Sequence, residues 1–375
     1  MKKNILIVDD SALMRRVISD IIASDDRLTI ADTASNGLQA FDLVTLNPKK
    51  YDLILLDINM PKMNGIEFLE QLEKLKLRQK IIIVSTLAKE GAKETIRCLE
   101  LGAFDFVTKP ESFLEAKNDS FKKRVLGSLW VALSLPEVVQ ENTEKNMPGA
   151  RIGISTTRAL HDLTASKVVR KPYVKSGAGA NKIVALACST GGPKALQQVI
   201  PKLSRDLDAP MLVVQHMPKG FTNSLAARLH ELSEVTVKEA EHGDVLQKGV
   251  VYIAKGGCQM RVVKKREGYT LSVTEEPARN GLKPCADIMY ESLLDTAFDD
   301  ITCVVLTGMG GDGTLGIKQL NDKKNIYVIA QDEPSCTVYG MPKVVHEAGL
   351  TDEVVDLSQI AGAIQKNVGV QKNGC

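Results

Sequence analysis

Short runs of branched apolar residues recur along the first hundred positions, each stopping at a polar residue: Ile5-Leu6-Ile7-Val8 before Asp9-Asp10, Tyr51 to Leu56 before Asp57, and Ile81-Ile82-Ile83-Val84 before Ser85. Such runs predict strands buried on both faces of a parallel sheet. Between them Ala12 to Ala23, Gly37 to Leu46, Gly65 to Leu75 and Ala92 to Leu101 follow the helical period, and a weaker strand, Phe104 to Val107, precedes Lys109-Pro110. The sum is a (βα)₅ doubly wound domain. Phe121 to Leu135 is helical in pattern and carries Trp130, the only tryptophan; it reads as an extended last helix of this domain or as a brace between domains. From about Glu137 to Ala180 the pattern fails, as in a long linker. After Asn181 the alternation resumes, with strands at Ile183 to Ala187, Met211 to Val214, Ile301 to Thr307 and Ile326 to Ala330. Helices are expected at Pro193 to Ile200, Phe221 to Leu232, Ala286 to Phe298, Thr314 to Leu320 and Met341 to Ala348. The short pieces Val250 to Ile253 and Arg261 to Val263 read as antiparallel hairpins appended to this second doubly wound α/β domain. The expected division is 1–124, a connecting helix and linker over 125–180, and 181–370.

Composition narrows this picture by exclusion. At 375 residues the chain is too long for one small module, and 44% hydrophobic with 25% charged residues is the make-up of an ordinary globular protein. A formal net charge of +2 supplies no field that calls for nucleic acid or an anionic membrane. Seven cysteines with no CxxC pair form neither a disulfide framework nor a zinc pattern, so free thiols in a reducing compartment are expected. The N-terminal apolar run breaks at Asp9-Asp10, too early for a signal core, and no run reaches membrane-spanning length. The expectation is a cytoplasmic protein with no membrane insertion.

In open α/β sheets ligands bind outside the carboxyl ends of the strands. In the first domain that edge collects Asp9, Asp10, Asp57, Ser85 and Lys109. Three converging carboxylates raise one another's pKa unless a cation neutralises them, and an all-oxygen cluster suits Mg²⁺. Beside such an ion, with Lys109 opposite, Asp57 can carry a phosphoryl group. Helix capping explains any one of these acids, but not a lysine after the fifth strand. Together Asp9-Asp10, Asp57-Ile58-Asn59-Met60-Pro61, Ser85 and Lys109-Pro110 resemble the response-regulator receiver domain, of flavodoxin-like fold. The resemblance implies that Asp57 accepts phosphate from a chemotaxis histidine kinase, that Asp10, Asp57 and the Asn59 carbonyl hold Mg²⁺ with Asp9 acting through water, and that Ser85 and Lys109 contact the phosphoryl group.

In the second domain the first strand runs into Cys188-Ser189-Thr190-Gly191-Gly192-Pro193. A hydroxyl on a strand-to-helix turn sits near unpaired N–H groups that stabilise an oxyanion, so Ser189 is a candidate nucleophile. Of five histidines only His216 directly follows a buried strand, which places it at the same edge as a candidate base. Asp312, in Gly308-Met309-Gly310-Gly311-Asp312-Gly313, is the candidate third member, with helix capping as its plain alternative, and the Met309 N–H is a candidate oxyanion donor. Cys188 precedes the serine on the opposite side of an extended strand, which argues against the thiol as nucleophile. The loop Gly310-Gly311-Asp312-Gly313-Thr314 also occurs in NAD and diacylglycerol kinases, a phosphotransferase rival that leaves the Ser189 and His216 segments unexplained.

Those two segments, Leu306 to Gly313, Ala330 to Cys336 and Tyr339 to Pro342 resemble the catalytic domain of chemotaxis protein-glutamate methylesterases, the CheB family, over about 181 to 370. The resemblance implies a phosphorylation-activated serine esterase that hydrolyses glutamate methyl esters on chemoreceptors, deamidates receptor glutamines, and needs no cofactor for the ester chemistry. Ala187-Cys188 stands where the family has Gly-Ala. Since the implied substrate is a side chain on a helical surface, the site must be shallow. The competing reading is a receiver joined to a non-catalytic receptor-docking domain. No helix-turn-helix with a basic face favours a nucleic-acid partner.

Overall fold

The computed structural model describes residues 2–110, 119–135, 170–177, 179–266 and 268–371. The chain divides into two units, Met1–Lys145 and Asn146–Cys375. The expected linker lies largely outside the described residues, as do His161 and Cys375.

The first unit alternates strands and helices throughout. Strands β1 (Lys3–Val8), β2 (Leu28–Ala34), β3 (Leu53–Asp57), β4 (Ile81–Ser85) and β5 (Asp105–Thr108) form a parallel sheet of order β2-β1-β3-β4-β5. Between them lie helices α1 (Ala12–Ala23), α2 (Gly37–Leu46), α3 (Gly65–Lys74) and α4 (Lys89–Glu100). β3 and β4 are buried at every position, as their unbroken Leu and Ile runs require. The order reverses between β1 and β3, and the carboxyl ends there are Val8 and Asp57. Strand β2 has no apolar run because it is an edge strand, with its middle residues half-exposed and Asp32 bonded to the Tyr51 hydroxyl at 2.5 Å.

Helix α5 (Asp119–Ala132) closes the unit. Its Phe121, Val125, Leu126 and Leu129 are buried in the same core as Ile18, Ile22 and Val107. The expected division at 124 therefore falls inside a helix packed within the first unit. The Trp130 indole Nε1 donates to Asp25 at 2.7 Å, and the Arg27 guanidinium pairs with Asp25 at 2.6 Å while lying 5.3 Å from the indole centroid. Arg27 holds the Asp25 carboxyl well below the usual carboxylate range; burial opposes this, and the indole N–H assists. A depressed carboxyl contributes stability that is fully present above its unfolded pKa and lost as pH falls through the folded value. Asp25→Asn is therefore expected to lower the first unit's stability by about 1 kcal/mol at neutral pH, and to flatten its acid dependence below about pH 4. Urea unfolding followed through Trp130 emission measures both.

The second unit contains a seven-stranded parallel sheet of order β14-β13-β12-β6-β7-β9-β8. Its strands are β6 (Lys182–Cys188), β7 (Met211–Gln215), β8 (Thr236–Glu239), β9 (Val250–Ile253), β12 (Asp300–Val305), β13 (Ile326–Gln331) and β14 (Glu353–Val355). The helices are α6 (Gly192–Val199), α7 (Phe221–Leu232), α8 (Ala286–Glu291), α9 (Thr314–Lys323), α10 (Met341–Glu347) and α11 (Ile360–Val368). β10 (Gln259–Lys265) and β11 (Gly268–Thr274) form the single antiparallel hairpin among the described residues. Val250 to Ile253, expected in a hairpin, instead pairs in parallel with β7 and β8. Short apolar pieces of this length fit either pairing, and here the helix-free connection over 240–249 is short for a parallel crossover. The chain builds outward from β6 on one side and returns through β12 on the other, so the crevice lies beyond the ends of β6 and β12. Among the described residues no helix is long and apolar enough to cross a membrane.

Candidate active site and phosphorylation pocket

Ser189 and Thr307 stand at the mouth of that crevice, joined by a hydrogen bond from the Ser189 N–H to the Thr307 carbonyl at 3.0 Å. Cys188 and Gln215 are register partners at the ends of β6 and β7. The residues that follow, Ser189 and His216, therefore leave neighbouring strand ends, and the His216 N–H donates to the Cys188 carbonyl at 3.2 Å. His216 Nε2 lies 2.8 Å from Asp312 Oδ2, with both side chains largely buried. Nδ1 is then the ring nitrogen left to serve Ser189, and among the described residues the Ser189 hydroxyl and His216 are not yet hydrogen-bonded, as is usual before substrate binds. His230, His242 and His346 are exposed.

Asp312 does not cap its own helix. Gly313, in the left-handed region at φ 95°, is the N-cap of α9. Asp312 instead accepts from the Ala286 N–H at 2.6 Å and the Asp287 N–H at 3.1 Å, the first turn of α8, and from the Cys285 thiol at 3.1 Å. Burial pushes its carboxyl up, but His216 and these N–H donors outweigh burial and hold it below the usual range, so the carboxylate stays ionised beside the imidazole. A loop aspartate spent in this way is not free to approach phosphates, which counts against the phosphotransferase rival. The Met309 N–H takes no acceptor among the described residues, leaving it available to an oxyanion.

Gln215 escaped the sequence reading. It is 2% exposed at the last position of an apolar strand, and its Nε2 donates to the backbone carbonyls of Ser189 at 3.1 Å and His216 at 3.2 Å. Its Oε1 accepts from the Cys188 thiol at 3.0 Å. Gln215 thus ties the two candidate reacting residues together. A buried polar residue ending a strand was the available signal. The space it fills explains Gly192, where a Cβ would stand 1.9 Å from Gln215 Oε1. Cys188 is fully buried and burial drives its thiol far above the ordinary range, so it is a packing group rather than a nucleophile. The six described cysteines are free thiols.

A polar cleft of about 250 Å³ opens beside the Ser189 turn, walled by Gly191, Lys194, Thr307, Gln331, Thr337 and Ser358. Neither Ser189 nor His216 lines it, so the candidate reacting groups do not sit at its floor.

In the first unit the predicted residues also converge. Ser11 caps α1 through the Met14 N–H, which leaves Asp9 and Asp10 uncommitted to capping it. Carboxylate oxygens of Asp9, Asp10 and Asp57 lie within 4.8 Å of one another. Lys109 Nζ is 2.8 Å from both Asp9 and Asp57. Burial, with Asp9's charge, pushes Asp57 up to about 6 against the pull of Lys109. Burial disfavours the Lys109 ammonium, but the two aspartates outweigh it and raise its pKa. Three carboxylates against one ammonium leave two negative charges uncompensated, and the Asn59 carbonyl accepts no bond among the described residues. A hard divalent cation suits this donor set. The Ser85 hydroxyl is buried and engaged by Thr95 Oγ1 at 2.8 Å. An Asn64–Glu67 capping box opens α3, and the Gly65 N–H bonds the Ile58 carbonyl at 2.7 Å, fixing the loop after Asp57.

An aspartate pocket of this kind, in one chain with a Ser, His and Asp set at a second switch-point crevice, defines a class: a response regulator with an enzymatic output. A family model described as "Response regulator receiver domain" matches residues 5–118, and one described as "CheB methylesterase" matches 184–364. The protein-glutamate methylesterase/protein-glutamine glutaminase of Halalkalibacterium halodurans is 41% identical over 361 residues, 96% of each chain. That of Bacillus subtilis (strain 168) is 39% identical over 366 residues, 96% of this chain and 97% of the relative. The catalytic domain of the Thermotoga maritima CheB methylesterase is 38% identical with a TM-score of 0.48, covering 50% of this chain and 98% of that one. The chain belongs to the CheB family of receiver-linked protein-glutamate methylesterases/protein-glutamine glutaminases. Enzymatic naming throughout these relatives tells against the non-catalytic docking domain.

Proposed function

We propose that this chain removes methyl groups from glutamate esters on the cytoplasmic part of chemoreceptors and converts receptor glutamines to glutamate, under the control of phosphorylation at Asp57. The observation that carries the reading is the His216–Asp312 contact of 2.8 Å at the end of β7, beside the end of β6 from which Ser189 follows. His216 Nδ1 takes the Ser189 proton as Oγ attacks the ester carbonyl carbon. The Met309 N–H faces the charge that develops on the carbonyl oxygen. Collapse breaks the ester C–O bond, with His216 returning the proton to the leaving oxygen to give methanol, or the amide C–N bond, with the proton returned to nitrogen to give ammonia. Water then attacks the acyl-enzyme with His216 again as base, freeing Ser189 and a glutamate side chain. Asp312 remains ionised and steadies the imidazolium.

In the receiver, Asp57 attacks the phosphoryl group of a histidine kinase's phosphohistidine. Asp10, Asp57 and the Asn59 carbonyl would hold Mg²⁺, with Asp9 close by, and a divalent ion there supplies neutralisation of phosphoryl charge. Lys109 pairs with the phosphoryl oxygens. The Ser85 hydroxyl, which accepts from Thr95 and donates to the Thr86 and Gly91 carbonyls, redirects its proton to reach them. The chemistry belongs in the cytoplasm, where kinase and receptor domains meet.

Methanol release from a methyl-esterified chemoreceptor cytoplasmic fragment, with and without acetyl phosphate and Mg²⁺, tests this reading. The phosphodonor is expected to raise the rate about tenfold, within the usual range of coupling between sites, and Asp57→Ala to abolish the increase while keeping the basal rate. No methanol from the unmodified chain would remove the esterase reading; equal stimulation of Asp57→Ala would remove the regulatory one.

A further inference from the structure

The catalytic acid is held by a part of the chain that lies far from it in sequence. Asp312 sits in a glycine-rich loop between β12 and α9, and the N-cap of α9 is Gly313 and not Asp312. What fixes its carboxylate is the start of α8: the Ala286 and Asp287 N–H groups and the Cys285 thiol supply three donors, and His216 the fourth contact. The approach to α8 is fixed in turn by Gln259, the first residue of the antiparallel hairpin. Gln259 is fully buried. Its Oε1 accepts from the Cys285 N–H at 2.9 Å and its Nε2 donates to the Leu282 carbonyl at 3.1 Å. One amide therefore grips both ends of the Leu282 to Cys285 segment that leads into the three donors, and the Gly257 N–H adds a bond to the Lys283 carbonyl at 3.2 Å.

We propose that Gln259 and Cys285 are positioning residues for the ester hydrolysis, acting through Asp312: Gln259 sets the place of the α8 N-terminus, and the Cys285 thiol completes the donor set that orients the carboxylate toward His216. The hairpin is then a brace for the catalytic acid rather than an ornament of the sheet. Cys285 is 1% exposed, and burial, with the neighbouring Asp312 charge, raises its thiol far above the ordinary range, so it remains a neutral S–H donor. The proposal rests on the assignment of Ser189, His216 and Asp312 as the reacting set.

The test uses the full chain and methanol release from the methyl-esterified receptor fragment, with each rate divided by the number of Ser189 sites titrated by an organophosphonate. Gln259→Leu keeps the size and removes both bonds. It is expected to lower kcat per titrated site about 10- to 100-fold, the scale of an ångström-sized misplacement, with KM within about twofold of the unmodified chain. Cys285→Ala is expected to lower kcat about threefold, the worth of a weak hydrogen bond. It also moves the acid limb of the pH profile upward, because a carboxylate short of one donor holds the His216 proton more tightly. Cys285→Ser, which keeps a donor, is expected to restore both. A merely structural role would reduce the number of titrated sites and leave kcat per site and the acid limb in place. Unmoved kcat and pH profile in both Gln259→Leu and Cys285→Ala would overturn the proposal. A Ser189→Ala chain that hydrolyses like the unmodified one would instead overturn the assignment beneath it.

Discussion

Ser189→Ala, His216→Ala and the double variant are expected to release methanol at nearly one residual rate, each about 10⁴- to 10⁶-fold below the unmodified chain. The equality matters more than the size of the loss. Ser189 without a base is an ordinary hydroxyl, barely ionised at neutral pH, and His216 without Ser189 has no proton to take; either removal stops the same event. Losses that multiplied would mean two independent contributions and would contradict a concerted pair. What survives in all three comes from the Met309 N–H, which none of the substitutions touches. Cys188 cannot replace the serine in Ser189→Ala, since its sulfur is buried and bound to Gln215 at 3.0 Å. Progress curves over the first turnovers, with methanol measured directly, give the three rates; a Ser189→Ala rate within tenfold of the unmodified chain would sink the acyl-enzyme mechanism.

What the sequence made legible divides along physical lines. The buried strands β1, β3, β4, β6, β7, β12 and β13 announced themselves because a strand covered on both faces must be apolar throughout. The candidate site residues Asp9, Asp57, Ser189 and His216 were legible on a related ground: a polar residue at or just after the end of such a run lands at the carboxyl edge, where α/β ligands bind. β2 and β14 were not, because edge strands with half-exposed faces carry mixed sequence. Nor was the dual duty of Asp312. Capping of the helix that follows and a catalytic place beside a histidine were weighed as alternatives; that helix is left to Gly313, and the carboxylate instead caps α8, 26 positions upstream, while holding His216 with the same oxygen. Sequence spacing reveals a cap only when cap and helix are contiguous. Gln259, and the bonds though not the place of Gln215, were hidden for a related reason: a buried amide is defined by the carbonyls and N–H groups it meets, and those come from segments the sequence does not place together.

The glycine after Thr307 is where a single methyl group should do the most damage outside the reacting residues themselves. A Cβ on Gly308 would stand 2.7 Å from Ser189 Cβ, 2.9 Å from the Ser189 nitrogen and 2.5 Å from Met341 Sδ. Met341 is fully buried, so its sulfur has little room to retreat. The Gly308 carbonyl accepts from the Met341 N–H at 2.8 Å, which keeps the loop from swinging outward. Relief must therefore come from Ser189, whose N–H is bonded to the adjacent Thr307 carbonyl at 3.0 Å. Gly308→Ala is expected to lower kcat at least about 100-fold by moving the nucleophile from its attack position, and to cost about 1–3 kcal/mol of stability through overpacking. Gly310 supplies the contrast two positions on. It lies in the left-handed region at φ 82°, but nothing approaches its Cβ position within 4 Å. Gly310→Ala therefore meets backbone strain of about 1–2 kcal/mol without a push on Ser189, and its kcat should stay within tenfold of the unmodified chain. Methanol release and thermal melts of the two variants side by side separate displacement of the serine from general loosening of the loop, because only the first predicts a large gap in kcat between variants of comparable stability.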